Sequence, residues 1–416
     1  MLFDSLTDPI PRLRPDLELL PHKENGEDLL VLRDPAGYTD EMLMFRPEAW
    51  ALFSLFDGSR SIEALQEEIQ QQTRVRIDTS QILQIVQSLD KALFLSNAHF
   101  EERRERMDDE YLQQTVRRAA LAGQSYPEDP EELVDFFSEL FEADGFDPEE
   151  GELLGIIAPH IDLKIGPQVY VPAFKQLKAA EFDTVVILGT SHYSFEDLFI
   201  LTEKYFETPL GTLKTDREFV RALHDNCGNL LTTRDIAHKQ EHSIEFPVLF
   251  LQHLLGNDSA RIVPILCTSF EEFLVEGTRA LADEKYDAFI KGFHKAVTDL
   301  GRRVVFVLSV DWSHIGRKFG DDADAADILD SVRASDHEHF RFLEACDYSG
   351  FYDFVRTAKN DTHIDGFACI TTFFDLVAPR RGRLLDYQQW HEEERASSVS
   401  FASMAFFGGD EEGDAA

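Results

Sequence analysis

The chain has 416 residues, 43% of them hydrophobic and 34 of them phenylalanine, enough for one large core and a smaller one. Forty Lys+Arg stand against 78 Asp+Glu, a formal charge of −38, so phosphate backbones are repelled and nucleic acid is not an expected partner. The chain lacks an apolar run near the ~18 residues of a membrane span and a basic-then-apolar leader, and its cysteines (Cys227, Cys267, Cys346, Cys369) form no C-x-x-C pair; a soluble cytoplasmic protein with no membrane contact is expected.

Residues 1–27 are polar and proline-dotted and read as an extended lead-in. Apolar runs at 29–32 and 41–45 read as two strands, separated by the turn Asp34-Pro-Ala-Gly37. Helical spacing follows over 47–56, ending at Asp57-Gly58. Ser61 caps a second helix with Ile62, Leu65 and Ile69 on one stripe. A third runs about 79–91, with Ile82, Ile85, Val86 and Leu89 on one face, and 92–95 closes the unit. A strand pair with three helices predicts a small winged-helix-like α+β domain over residues 1–97. Its third helix is poor in basic residues, which argues against DNA. Residues 98–120 are charged and helix-prone and read as a connecting helix. Pro127, Asp129 and Pro130 break the chain, then 131–141 forms an amphipathic helix and 144–152 an acidic loop.

From residue 153 the pattern becomes βαβ. Strands near 153–158, 183–189, 262–266 and 304–310 alternate with helices at 172–180, 216–226, 241–255 and 286–300. This predicts an α/β domain over 121–409, with a parallel or mixed sheet flanked by helices. Helical patterns at 324–345 and 348–359 precede a closing strand at 397–407. The acidic tail, 410–416, is expected to be disordered.

Three apolar strands deliver a histidine at the carboxyl end, where ligands collect in open α/β sheets: "LLGIIAPH" with His160, "TVVILGTSH" with His192, and "VVFVLSVDWSH" with Asp311 and His314. One strand-end histidine is more often a hydrogen-bonded structural group than a ligand. Two converging from different strands favour a metal site, because imidazole is the commonest protein metal ligand. Asp365, in Thr362-His-Ile-Asp-Gly366, offers a third donor, and two histidines with a carboxylate suit non-haem Fe(II) with positions left open. His314 is a candidate acid/base group, with Asp311 available to orient or charge it. Glu241 and His242 begin a long apolar helix whose N-terminus would face the site. With His238 this stretch also spells H-x-x-E-H, the inverted metalloprotease motif, a remote reading because His238 precedes the helix.

The N-terminal runs "LFDGSRSIEAL" and "IVQSLDKALFL" resemble the PqqD-type winged helix, which implies a peptide or protein partner there; a structural cap is the plainer alternative. Further on, "LAGQSYPEDPEEL", "IIAPHIDLKIG", "VVILGTSHY", "TPLGTLKTD", "EHSIEFPVLFLQ", "IVPIL", "LSVDWSHIGRKFG", "HIDGFACITTFF" and "SSVSFASMAFF" occur in the order of the Memo family, called AmmeMemoRadiSam system protein B in prokaryotes. The resemblance covers about 121–407 and implies the fold of class III extradiol dioxygenases of the LigB type. It also implies work beside a radical-SAM protein, either as a metal-binding protein or as a dioxygenase-like oxidoreductase acting on a small aromatic substrate. Residue by residue it implies His160 and His192 as ligands of a divalent metal, Fe(II) first, with copper or zinc as alternatives. It places His314, with Asp311, His242 and Glu241, in the same pocket as catalytic candidates. Relatives hold the third ligand as a cysteine before glycine, whereas this chain has Asp365 before Gly366, and Cys369 does not align. Asp365 either restores a carboxylate ligand or leaves a site that binds nothing.

Overall fold

The structure is a computed structural model and describes residues 7–24, 26–74, 77–194 and 197–409. The acidic tail lies outside them. The chain divides into two compact units, Met1–Gln113 and Gln114–Ala416.

The first unit is a three-stranded antiparallel sheet, β1 (Glu18–Glu24), β2 (Glu27–Arg33) and β3 (Leu43–Phe45), with helices α1 (Trp50–Phe53), α2 (Ile62–Thr73), α3 (Thr79–Lys91) and α4 (Ala98–Leu112). Part of the expected lead-in is therefore strand: β1 pairs along its length with β2, Glu18 opposite Arg33. The Ser61 cap acts as read. Ser61 Oγ accepts from Ala64 N at 3.2 Å, and Asp78 with Gln81 forms a capping box. Ile62, Leu65, Ile82, Val86 and Leu89 meet in one core. The charged connecting segment is α4, grouped with this unit.

The second unit contains, in chain order, β4 (Val116–Arg117), α5 (Pro130–Ala143), β5 (Leu153–Ala158), α6 (Tyr170–Lys178), β6 (Thr184–Thr190), β7 (Phe199–Leu201), β8 (Tyr205–Thr208), β9 (Gly211–Leu213), α7 (Arg217–Cys227), α8 (His242–Leu255), β10 (Arg261–Cys267), α9 (Glu271–Glu276), α10 (Glu284–Leu300), β11 (Val304–Ser309), β12 (His314–Gly316), α11 (Leu329–Glu344), α12 (Tyr348–Ala358), α13 (Phe367–Val377), β13 (Arg381–Glu392) and β14 (Ser397–Phe407). Its main sheet runs β12-β14-β5-β11-β6-β10-β7, with β13 on β14. The four central strands are parallel, and antiparallel strands close both sides. This is the expected mixed α/β sheet with helices on both faces. Of the described residues, none lies in a helix long and apolar enough to cross a membrane.

The central strands are apolar throughout because both faces are covered. Along β6, Val186 and Leu188 join one core with residues of α7, α10 and α13, whereas Val185 and Ile187 join the other with residues of α5, α6 and α8. Register then decides where the chemistry lies. Ser309 of β11 pairs with Ala158 of β5 on one side and with Gly189 of β6 on the other. Three strands thus end level, and the residues just beyond them, His160, Asp311 and His192, emerge on one edge of the sheet.

Candidate metal centre

His160 is buried, with 2% of its side chain exposed, and its Nδ1 lies 3.0 Å from the Ser309 carbonyl. A carbonyl only accepts, so Nδ1 carries the hydrogen and Nε2 is left with its lone pair. That Nε2 lies 2.9 Å from Asp365 Oδ2 and 3.8 Å from Asp311 Oδ2. The distance to Asp365 is that of an ion pair, yet both Asp365 oxygens are buried without a hydrogen-bond partner. A carboxylate kept dry and unpartnered beside an imidazole is costly unless a cation lies between them. Without a metal, a proton fills that place: burial disfavours imidazolium, but Asp311 and Asp365 outweigh it and push His160 up to about 10. The same contacts hold Asp365 low: burial opposes ionisation, but His160, His314 and His192 outweigh it.

His192 follows β6 and is held by Glu241, the N-cap of α8. Glu241 Oε2 accepts from His192 N at 2.8 Å, and Oε1 faces His192 Nδ1 at 2.9 Å. Oε1 also accepts from His242 N and Ser243 N, at 2.9 and 3.1 Å. Glu241 is fully buried and stays charged: burial opposes ionisation, but His192 and His242 hold its pKa far below the usual carboxylate range. His192 Nε2 lies 3.9 Å from Asp365 Oδ2. Donors bonded to one metal ion at about 2.1 Å stand roughly 3–4 Å apart, which the spacings of His160 and His192 from Asp365 satisfy. His242 joins them: one ring nitrogen from each of His160, His192 and His242 lies within 4.8 Å of the others. The site opens on the side of His192 and His242, whose side chains are 34% and 27% exposed.

His314 Nδ1 faces two carbonyls, Trp312 O at 2.9 Å and His363 O at 3.2 Å, so its Nε2 is free to accept a proton. The loop carrying Asp365 reaches the site through left-handed turns at Asn360 and His363, with φ of +51° and +50°. Such backbone is held by its surroundings, here Asn360 Oδ1 accepting from Ile364 N at 2.9 Å.

The structure bears on three of these candidates. Asp311 Oδ1 accepts from His160 N and Ile161 N at 3.0 and 3.2 Å, fixing the turn that presents His160; burial pushes its pKa up, while the charges of His160 and His314 oppose that shift. Glu241 is fully buried and has both oxygens engaged, as a positioning residue would. The H-x-x-E-H reading fails because His238 lies in a short 3-10 turn before α8, with its Nε2 on Ile200 O at 2.9 Å and burial lowering its pKa to about 4. Cys369 is a buried core residue of α13 beyond Asp365.

Sequence reasoning missed Arg117 and Glu245. Arg117 is buried, donates to His238 O at 3.0 Å and Glu241 O at 2.8 Å, and pairs with Glu245. Glu245 also accepts from Ala120 N, Leu121 N and Tyr126 OH. This network pins the backbone on both sides of Glu241's turn. Its contacts join residues 117–126 to residues 238–245, as with the separation of 128 between Arg117 and Glu245, so local pattern carries no sign of it.

Comparison with known proteins finds relatives along most of the chain. The family model described as "Memo-like protein" matches residues 117–405. A MEMO1 family protein of Aquifex aeolicus is 32% identical over 388 residues, 91% of this chain and 96% of its own length, so that similarity reaches into the first unit. Relatives from Pyrococcus furiosus and Thermus thermophilus, with the same family description, are 28% and 25% identical over 70% and 83% of this chain, and 98% of each relative is covered.

Proposed function

The chain belongs to the Memo-like family, and we propose that its second unit is a mononuclear metal centre held by His160, His192 and Asp365. The observation that carries this reading is the buried Asp365 carboxylate, which meets only the Nε2 side of imidazoles whose Nδ1 hydrogens are committed elsewhere. Partners that fix a histidine's Nδ1 are what orient its Nε2 toward a metal. Two histidines and a carboxylate fit Fe(II), with copper or zinc as alternatives. When bound, the ion would supply Lewis acidity or a redox couple at the open side of the site. This chain's residues then have separate tasks. Glu241 and the Ser309 carbonyl fix the ligand imidazoles, Asp311 fixes the turn before His160, and His314 Nε2 takes or returns a proton beside Asp365.

The test is metal analysis after anaerobic purification of the wild type, His192→Ala and Asp365→Ala. One ion per chain in the wild type, lost from both variants, supports the site. A metal-free wild type, or variants that keep the ion, defeats it. His314 favours a second reading, an oxidoreductase of dioxygenase type on a small aromatic substrate; oxygen uptake with catechol by the Fe(II)-loaded chain separates it from a non-dioxygenase role.

The family resemblance also supports action beside a radical-SAM protein. In the first unit, β3 is a sheet edge, and the side chains of Met42 and Met44 are 64% and 56% exposed, which suits an extended peptide or protein partner. Retention of a candidate precursor peptide by the full-length chain, lost on Met44→Glu, supports that role; equal retention rejects it.

A further inference from the structure

We propose that His242 is a fourth protein donor to this metal, which makes the centre a set of three imidazoles and one carboxylate. The inference rests on the metal-site reading above and changes what that site prefers to bind. Three observations converge on it. First, His242 is positioned like a ligand: its Nδ1 lies 3.2 Å from Glu241 Oε1, the oxygen that also faces His192 Nδ1. One carboxylate oxygen therefore faces both rings at Nδ1, bonded to His192 and within ion-pair reach of His242, which favours the hydrogen at Nδ1 and leaves both Nε2 lone pairs free.

Second, the rings of His192 and His242 stack with centroids 4.6 Å apart and planes only 26° apart. Near-parallel rings tethered at the same end through the same oxygen present their Nε2 atoms side by side. His160 faces both edge-on, its ring centroid 5.0 Å from each and its plane nearly perpendicular, at 88° and 82°. The three rings thus enclose one small volume, with Asp365 on the side of His160 and His192.

Third, backbone geometry places His242 there. It is the first residue of α8, directly after the N-cap Glu241, and Ser243 Oγ is tied to the Thr190 carbonyl at the end of β6 at 2.8 Å. The helix start and the strand end that carry His242 and His192 are bolted together, so the two rings keep their spacing whether or not an ion is present. An acid/base role for His242 asks only for exposure to substrate. It gives no reason for a tether shared with a ligand histidine.

The chemical consequence concerns metal class. Adding a third nitrogen to a two-histidine, one-carboxylate set moves the site toward the nitrogen-preferring end of the divalent series, Cu²⁺ above all, with Zn²⁺ behind it, and leaves fewer open positions for substrate.

The experiment uses the full-length chain, stripped of metal and loaded with one equivalent of Cu²⁺, and counts directly bound nitrogens from the superhyperfine structure of its electron paramagnetic resonance spectrum. Three nitrogens in the wild type, falling to two in His242→Gln, support the assignment. Restoration of the third by added imidazole in His242→Ala supports it further. Two nitrogens in the wild type overturn the inference while leaving the His160–His192–Asp365 site standing, and this outcome needs no variant to fold. A wild type that takes up no Cu²⁺, or binds it through oxygen alone, overturns both. An unchanged spectrum in a folded His242→Gln, checked by thermal unfolding, also overturns the inference.

Discussion

Replacing Glu241 by glutamine keeps its volume but removes the charge and turns one acceptor into a donor. Every neighbour of this carboxylate is an N–H: His192 N and Nδ1, His242 N and Ser243 N, at 2.8 to 3.1 Å, and His242 Nδ1 at 3.2 Å. The gentler amide orientation keeps the carbonyl on the Oε1 side, where four donors meet, and turns the NH₂ toward His192 N. One charge-assisted bond is then replaced by two facing donors, and the contacts on Oε1 weaken to neutral ones. A bond to a charged group contributes about 1.5–3 kcal/mol and a neutral one about 0.5–1.5 kcal/mol. Partly offset by relief of a desolvated charge, the net loss should be roughly 2–4 kcal/mol of stability. The ligand imidazoles also lose their orienting partner, which typically costs about 10–100-fold in metal affinity, or about 1.4–2.8 kcal/mol. Competition for Zn²⁺ against a chromophoric chelator measures the second effect, and thermal unfolding of the metal-free chain measures the first. A folded Glu241→Gln chain with wild-type Zn²⁺ affinity would refute the reasoning, because the histidines would then be oriented by something else.

Arg117→Met leaves Glu245 charged and buried, which should destabilise the chain by about 3–5 kcal/mol in denaturant titration. Adding Glu245→Gln should recover part of that loss, and strictly additive effects would show that the pair is uncoupled. Gly189→Ala should both destabilise the fold and weaken metal binding, since a Cβ there would lie 2.6 Å from Ser243 Oγ and 2.8 Å from Ile244 Cδ1, pushing α8 off the end of β6; unchanged Zn²⁺ affinity would count against the bolted arrangement. Burial lowers the pKa of His339 and of His238 from 6.5 to about 4. The unfolded chain therefore takes up protons that the fold refuses; this contribution is whole above pH 6.5 and is lost as pH falls toward 4. His339→Phe, which keeps the stack on Trp312, should flatten the fall in urea midpoint between pH 7 and 5, and an unaltered slope would contradict the assignment.

Much of the fold was legible because its elements are locally specified. β5, β6, β10 and β11 are continuous apolar runs that only a doubly covered sheet accommodates. The closing strand β14, Ser397–Phe407, is buried along its whole length, and its pattern showed it. Its partner β13 was missed because its side chains are half-buried on both faces, and a strand at a sheet's edge shows little contrast between faces. β1 was missed for a related reason: a polar, proline-containing segment becomes a strand only when β2 supplies its hydrogen bonds.

The site divides the same way. The sequence by itself determined that histidines stand at the ends of three apolar strands and that an aspartate stands before Gly366, because strand ends and turns are written in consecutive residues. Only the tertiary structure decided that these groups share one volume, since that depends on the level register of β5, β11 and β6. It also separated Asp311 and Glu241, as holders of backbone and imidazoles, from the residues that face the open site. It brought Arg117 and Glu245 in from far along the chain, and it set His242 beside His192 through one shared carboxylate oxygen. Such assignments follow from hydrogen bonds between distant segments, whose distances and directions no local pattern records.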